Sequence, residues 1–128
     1  VTLDGGTRAP QARFSAGGVK GPKVGQYTVM LQDFESVAVT ALSARNLEKC
    51  QYVVIDEIGK MECFSTKFQS LVRKIFSSDS KHIIATVPVK FDTINLVKEL
   101  VNRDDVEIVH VTKDNRDDLK TGILTKLT

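Results

Sequence analysis

Apolar residues in this chain gather into three short runs, Val53-Val54-Ile55, residues 82–87 and residues 106–111, and between the runs they return at helical spacing. The first run lacks the in-out alternation of a half-solvated strand, which predicts a parallel strand covered on both faces. Ahead of it, Phe34, Val37, Ala38, Ala41, Leu42 and Ala44 form one stripe, with Asp33 as the expected N-cap and an end near Asn46. Behind it, Ser65 can cap a second helix whose inner face is Phe68, Leu71, Val72, Ile75 and Phe76, closed by the cluster Ser77-Ser78-Asp79-Ser80. Pro88 stops the second run, because proline has no N–H to give a ladder. A weaker helix follows over residues 92–101, facing inward through Ile94, Val97, Leu100 and Val101. The third run is expected as another buried strand, leading to a last helix capped by Thr112 or Asp114 and carrying Leu119, Ile123, Leu124 and Leu127. Strands and helices in alternation predict an α/β three-layer domain, a parallel sheet with right-handed crossovers.

The first third has a different texture. It holds most of the glycine and all but one of the prolines, interleaved with short β-favouring pieces. That pattern predicts an antiparallel ribbon, with strands over residues 1–3, 7–15 and 26–31 and turns at 4–6 and 17–23. The loop Gly17-Gly18-Val19-Lys20-Gly21-Pro22-Lys23 has the glycine content of a phosphate cradle without its chemistry. Pro22 removes an N–H, Val24 stands where a hydroxyl residue belongs, and a strand follows where a helix is required. A hairpin turn is the reading that fits.

With 128 residues the chain supports one domain over 1–128, divided into a ribbon portion over 1–31 and an α/β portion over 32–128. It opens at Val1 and not Met, which suggests an N-terminally incomplete form. The 18 basic and 16 acidic residues leave a formal charge of +2, too balanced to predict a nucleic-acid partner from electrostatics. No apolar run is long enough to cross a bilayer and no charged-then-apolar leader is present, so no membrane partner and an intracellular, cytoplasmic location are expected. Cys50 and Cys63 have neither metal-type spacing nor the number for a disulfide framework, and are expected as reduced structural thiols. His82 and His110 flank strands singly, without the spacing of a metal site or a nucleophilic triad, and are expected to be structural.

The chemistry concentrates where the first run ends. Asp56 and Glu57 follow Ile55 at what would be the carboxyl end of a buried parallel strand, the place where such sheets present their ligand sites. Two adjacent carboxylates there have the form of a Walker B strand, in which one acid holds Mg²⁺ and a second polarises the water that attacks a γ-phosphate. A charged turn is the competing reading of Asp-Glu alone. The segment IDEIGKMECFS, residues 55–65, decides between them, because it resembles the signature of the cancer-related nucleoside-triphosphatase family of small P-loop enzymes. The resemblance continues through Gly6-Thr7-Arg8, Val24-Gly25-Gln26-Tyr27, Phe34-Glu35 with Ala38 and Leu42, Ile84-Ala85-Thr86-Val87-Pro88-Val89, and Val111-Thr112-Lys113-Asp114-Asn115-Arg116.

The resemblance implies a P-loop NTPase-type fold, Mg²⁺ as cofactor, and hydrolysis of ATP, GTP and other nucleoside triphosphates. It makes Asp56 the metal-site residue and Glu57 the water-activating base. Lys60 is placed to hold the γ-phosphate or its transition state, since a cation there neutralises developing oxygen charge; pairing with Glu62 is the alternative. Met61 and Phe64 are expected to anchor the loop that displays the acids. Thr86 ends the second run, where related NTPases place a polar sensor of the γ-phosphate, although a β-favouring residue in a strand explains it equally. Asn115 and Arg116 follow the third run, a position from which P-loop proteins frame the nucleobase, with a guanidinium plane for stacking. An exposed helix start, with Arg116 paired to a nearby Asp, is the alternative there.

One departure stands out. The family pattern opens with a strand and a GxxxxGK(S/T) loop, and neither occurs in these 128 residues. In NTPases that carry a catalytic Glu after the Walker B acid, the P-loop strand usually lies between the strands corresponding to residues 82–87 and 106–111. Both are therefore expected to lack a neighbour here, and the chain alone is expected to be inactive and to be marginal, aggregation-prone through its unpaired strand edges, or dependent on a partner. Two further readings stay open: a nucleotide-binding or interaction module without turnover, and a small-molecule or nucleotide kinase in which Asp56 or Glu57 positions an acceptor hydroxyl.

Overall fold

The computed structural model describes residues 7–15, 18 and 20–128. The strand expected over 1–3, the turn at 4–6 and, within the turn at 17–23, Gly17 and Val19 lie outside the described residues.

The ribbon is a three-stranded antiparallel sheet in the order β1-β3-β2, built from β1 (Ala12–Phe14), β2 (Lys23–Val24) and β3 (Tyr27–Val29). Ala12 faces Val29, Phe14 faces Tyr27, and Lys23 faces Thr28. Gly25 and Gln26 make the two-residue turn between β2 and β3, and Gly25 adopts φ +58°, the left-handed geometry that tight hairpins require. The strand expected over 7–15 shrinks to three residues, because its partner β3 is itself only three long. Single main-chain bonds extend the pairing at each end, Met30 N–H to the Gln11 carbonyl at 2.7 Å and Ser15 N–H to the Gln26 carbonyl at 2.8 Å.

Helix α1 (Leu31–Ala41) starts earlier than expected, with Met30 as N-cap. Asp33 is therefore not a cap; it lies in the first turn, where a carboxylate meets the positive end of the helix dipole. The expected run to Asn46 breaks at Ser43, which is extended, and a short α2 (Ala44–Leu47) follows. At the break the Thr40 carbonyl, at the end of α1, accepts both the Ser43 N–H at 3.2 Å and Asn46 Nδ2 at 2.7 Å.

Strand β4 (Tyr52–Ile55) runs parallel to β5 (His82–Ala85), with Val53 opposite Ile83 and Ile55 opposite Ala85. Helix α3 (Thr66–Phe76) connects them. Its N-cap is Ser65, as the sequence predicts: the hydroxyl accepts the Phe68 N–H at 3.0 Å and donates to Glu35 Oε1 at 2.7 Å. That second bond fastens α3 to α1, beside an edge-on Phe34–Phe68 ring contact at 5.3 Å. The hydrogen bond from Ser65, and after it the Lys67 ammonium, hold the Glu35 carboxyl below its ordinary pKa.

Val53 and Ile55 are buried with Ile58, Phe68, Val72, Ile75, Ile94, Leu96, Val97 and Leu100, a core that joins one face of β4 to α3 and to α4 (Asn95–Val101). Tyr52 and Val54 point the other way and stay exposed, Val54 at 49%. The two-sided burial expected for β4 is thus corrected to one side, because the core draws on a single face of the strand.

The third apolar run is the larger correction. Residues 106–111 form no strand, and Ile108, Val109 and Val111 are exposed. Their β-propensity is intact, but a strand needs a neighbour for its N–H and C=O groups, and among the described residues β5 pairs with β4 alone. Helix α5 (Arg116–Leu127) follows and buries none of its residues fully. Its N-cap is Asn115, not Thr112 or Asp114 as expected; Thr112 braces that position, its N–H donating to Asn115 Oδ1 at 2.7 Å and its hydroxyl accepting the Asn115 N–H at 3.2 Å. Its end is tied back to β4 by the Tyr52 hydroxyl, which donates to the Leu127 carbonyl at 2.8 Å. The class remains α/β, a parallel pair with flanking helices beside an antiparallel ribbon. Among the described residues no helix is long and apolar enough to cross a membrane.

Candidate active site

The carboxyl end of β4 turns sharply, and Thr86 controls the turn. The Thr86 N–H donates to the Ile55 carbonyl at 3.0 Å and the Thr86 carbonyl accepts the Ile58 N–H at 2.8 Å, so the parallel pairing of β4 with β5 continues past both strands. Its hydroxyl accepts the Glu57 N–H at 2.8 Å and donates to Asp56 Oδ1 at 2.9 Å. Three residues named from the sequence, Asp56, Glu57 and Thr86, are thereby brought together. A hydroxyl has one proton to give, and here it is directed at Asp56.

Glu57 carries φ +74°, a left-handed backbone that non-glycine residues adopt rarely and keep only where neighbours enforce it. Thr86 supplies one restraint. Ile58, with no exposed surface, supplies another by anchoring the next residue in the core. The outcome is that Ile58 points inward while Asp56 and Glu57 face solvent. Gly59 packs beneath the carboxylates: a Cβ there would lie 2.8 Å from Glu57 Oε1 and 2.8 Å from Glu62 Oε2.

Glu62 is buried, and the pairing with Lys60 considered from the sequence does not form. Its Oε2 accepts the Gly59 N–H at 2.9 Å, and its Oε1 accepts a hydrogen bond from Gln11 Nε2. Lys60 is exposed beside this loop. Burial, and after it the charge of Glu62, push the neighbouring Cys63 thiol up to about 11, so that it is an unreactive thiol at neutral pH. Cys63 and Cys50 are both free.

Asn115 and Arg116 lie apart, at the start of α5. The Asn115 side chain is committed locally, accepting from Thr112 N–H and donating to the His110 carbonyl at 2.9 Å. Arg116 is exposed and pairs with Asp117 at 3.9 Å. No hydrogen bond or ion pair among the described residues joins either of them to Asp56 or Glu57.

A cavity of about 210 Å³ opens beside the acids. Asp56, Glu57, Glu62 and Gln11 form its polar rim, and Phe34, Ala38 and Leu42 of the α1 region form its apolar wall. Gln11 and Glu62 are the members that the sequence did not single out for this site. The three-residue spacing of Gly59 and Glu62 was a usable signal, because it lets a side chain reach back to a loop amide; nothing local pointed to Gln11.

The donors fit a hard cation. Asp56 and the Thr86 hydroxyl offer oxygen only, and Mg²⁺ is commonly held through one or two carboxylates, with waters and substrate phosphates completing its octahedron. Among the described residues no group of three or more His, Cys, Asp or Glu is arranged to enclose a metal.

The carboxyl end of β4 thus presents an acidic pair, braced by the threonine that follows the neighbouring parallel strand, in an α/β domain. The family model described as NTPase matches residues 1–124. The chain is 41% identical over 132 residues to the cancer-related nucleoside-triphosphatase of Homo sapiens, covering 98% of this chain and 69% of that protein. It is 41% identical over 105 residues to the nucleoside-triphosphatase THEP1 of Thermotoga maritima, covering 82% of this chain and 58% of that one. The solution structure of a human cancer-related nucleoside triphosphatase superimposes with a TM-score of 0.78 at 40% identity, covering all of this chain and 71% of the other. The chain belongs to this nucleoside-triphosphatase family.

Proposed function

We propose that the protein is a Mg²⁺-dependent nucleoside-triphosphatase that cleaves the β,γ bond of ATP, GTP and other nucleoside triphosphates. One observation carries this reading: the Thr86 hydroxyl links Asp56 to the Glu57 amide and presents both acids at the carboxyl end of β4. Mg²⁺, when bound at Asp56, neutralises charge on the phosphates. Glu57 aligns a water with the scissile bond and takes its proton on the carboxylate. The water oxygen then bonds to the γ-phosphorus, the bridging P–O bond breaks, and its electron pair leaves with the nucleoside diphosphate. Lys60, exposed on the same loop, meets the charge that develops on the γ-phosphate. Thr86 keeps Asp56 and Glu57 in register as it reads the phosphate end. Arg116 frames the base through its guanidinium plane, and Asn115 supports it by ordering the turn from which Arg116 emerges.

The ribbon and the α/β portion work as one domain, acting on small nucleotides without a nucleic-acid partner. Two free thiols suit a reducing compartment, and the cytoplasm is the proposed location. The 128 residues contain no GxxxxGK(S/T) loop, and we assign the phosphate cradle to such a loop and not to any segment here. This chain by itself is therefore proposed neither to bind nor to hydrolyse nucleoside triphosphates with useful affinity.

The test is phosphate release from ATP and GTP with Mg²⁺ and no acceptor, run on this chain and on a form extended to include the P-loop. Release by the extended form alone is the expected result. Release that requires an added acceptor hydroxyl would move the protein to the kinases. Tight binding of a fluorescent ATP analogue by this chain would contradict the assignment of the cradle.

A further inference from the structure

Glu62 is 8% exposed, and a carboxylate that deep needs partners for both oxygens. It has them: Gly59 N–H on Oε2 at 2.9 Å and Gln11 Nε2 on Oε1. The two partners come from different parts of the fold. Gly59 belongs to the acidic loop, two residues after Glu57. Gln11 belongs to the ribbon, one residue before β1, and its carbonyl accepts the Met30 N–H at 2.7 Å.

Glu57 lies across Gly59, its Oε1 2.8 Å from where a Cβ on that glycine would be. Its left-handed backbone is held on its own amide by the Thr86 hydroxyl and, two residues on, by whatever fixes Gly59. Glu62 fixes the Gly59 amide, alongside the Cys63 N–H that donates to the Gly59 carbonyl at 3.1 Å and the Ile58 N–H held by the Thr86 carbonyl. We propose that Glu62 is a positioning residue for hydrolysis: it holds Gly59 and hence the aim of the Glu57 carboxylate, and through Gln11 it makes that aim depend on the ribbon being seated against the loop. The inference deepens the proposed activity and rests on Glu57 as the base.

The chemistry of the pair distinguishes the variants. In E62Q the new amide oxygen still accepts from Gly59, and the Gln11 amide can turn to accept from the new NH₂, so both links survive. E62A loses both. Q11A loses only the ribbon link.

The experiment measures kcat and KM for Mg-NTP in the P-loop-bearing form of the protein, together with amide hydrogen exchange at Gly59, for E62A, E62Q, Q11A and E57Q. A misaimed catalytic group costs on the order of 10-fold or more in kcat. E62A is expected to show that loss with KM held within about 2-fold, the mark of an interaction that matters only in the transition state. Gly59 exchange should accelerate in the same variant, and E62Q should restore most of both. Q11A should lower kcat by a smaller factor while Gly59 keeps its protection, and it carries the test if E62A does not fold. Wild-type kcat in E62A, or in Q11A where E62A does not fold, overturns the proposal, as does a loss confined to KM. Wild-type turnover in E57Q overturns it together with the hydrolytic reading, and Gly59 exchange in E62A then reports separately whether the clamp exists.

Discussion

Two stretches of this chain have the same apolar texture and opposite fates. Residues 52–58 carry Val53, Ile55 and Ile58 into the core, whereas residues 106–111 leave Ile108, Val109 and Val111 facing solvent. The difference lies in the neighbours. Strand β4 has β5 along one edge and α3 and α4 on one face, so the backbone groups on that edge and the inward side chains Val53 and Ile55 are satisfied. The later run has no strand beside it among the described residues and forms no ladder. Apolar β-favouring sequence is a demand for a partner, and only the rest of the fold decides whether the demand is met.

The contrast can be broken by substitution. Ile58→Ala removes a side chain with no exposed surface that anchors the acidic loop, and should cost about 2–5 kcal/mol in urea denaturation. Ser65→Ala loses the α3 cap and the link to Glu35 and should cost roughly 1–2 kcal/mol. Val111→Ser, at a position 62% exposed, should change stability by no more than about 0.5 kcal/mol. A Val111→Ser cost equal to that of Ile58→Ala would mean that the third run is packed after all, and the comparison would fail.

The same contrast bears on the nucleotide. Arg116 stands beyond the exposed run, and in the P-loop-bearing form Arg116→Ala should raise KM a few-fold and leave kcat nearly unchanged, as loss of uniform binding does. A fall in kcat at constant KM would make Arg116 a transition-state residue. No change in either would return it to the Asp117 pair seen at the start of α5.

Much of this was legible in the sequence, and the failures share a cause. The cap at Ser65, the inward face of α3, Val97 and Leu100 of α4, and the acids at the end of β4 follow from local spacing, because each depends on residues a turn or a strand away, whereas the start of α4 at Asn95 and its buried Leu96 were not read. The early start of α1 was missed because its first turn lacks a capping side chain, while Asp33 imitates one. The single covered face of β4 and the unpaired third run were missed because periodicity reports what a segment can bury, not what is present to cover it. The Gln11–Glu62 link was invisible for the same reason: it joins residues 51 positions apart in the sequence.

The central claim is that Asp56 and Glu57 divide the work of hydrolysis, one holding the cation and the other the water. The most direct test is to compare Glu57→Gln and Asp56→Asn in the P-loop-bearing form, by Mg²⁺-dependent nucleotide binding and by single-turnover phosphate release. Glu57→Gln should bind Mg-nucleotide like wild type and release phosphate slower by about 10² or more, while Asp56→Asn should lose Mg²⁺-dependent binding as well. Equal phosphate release by Glu57→Gln and wild type would contradict the account.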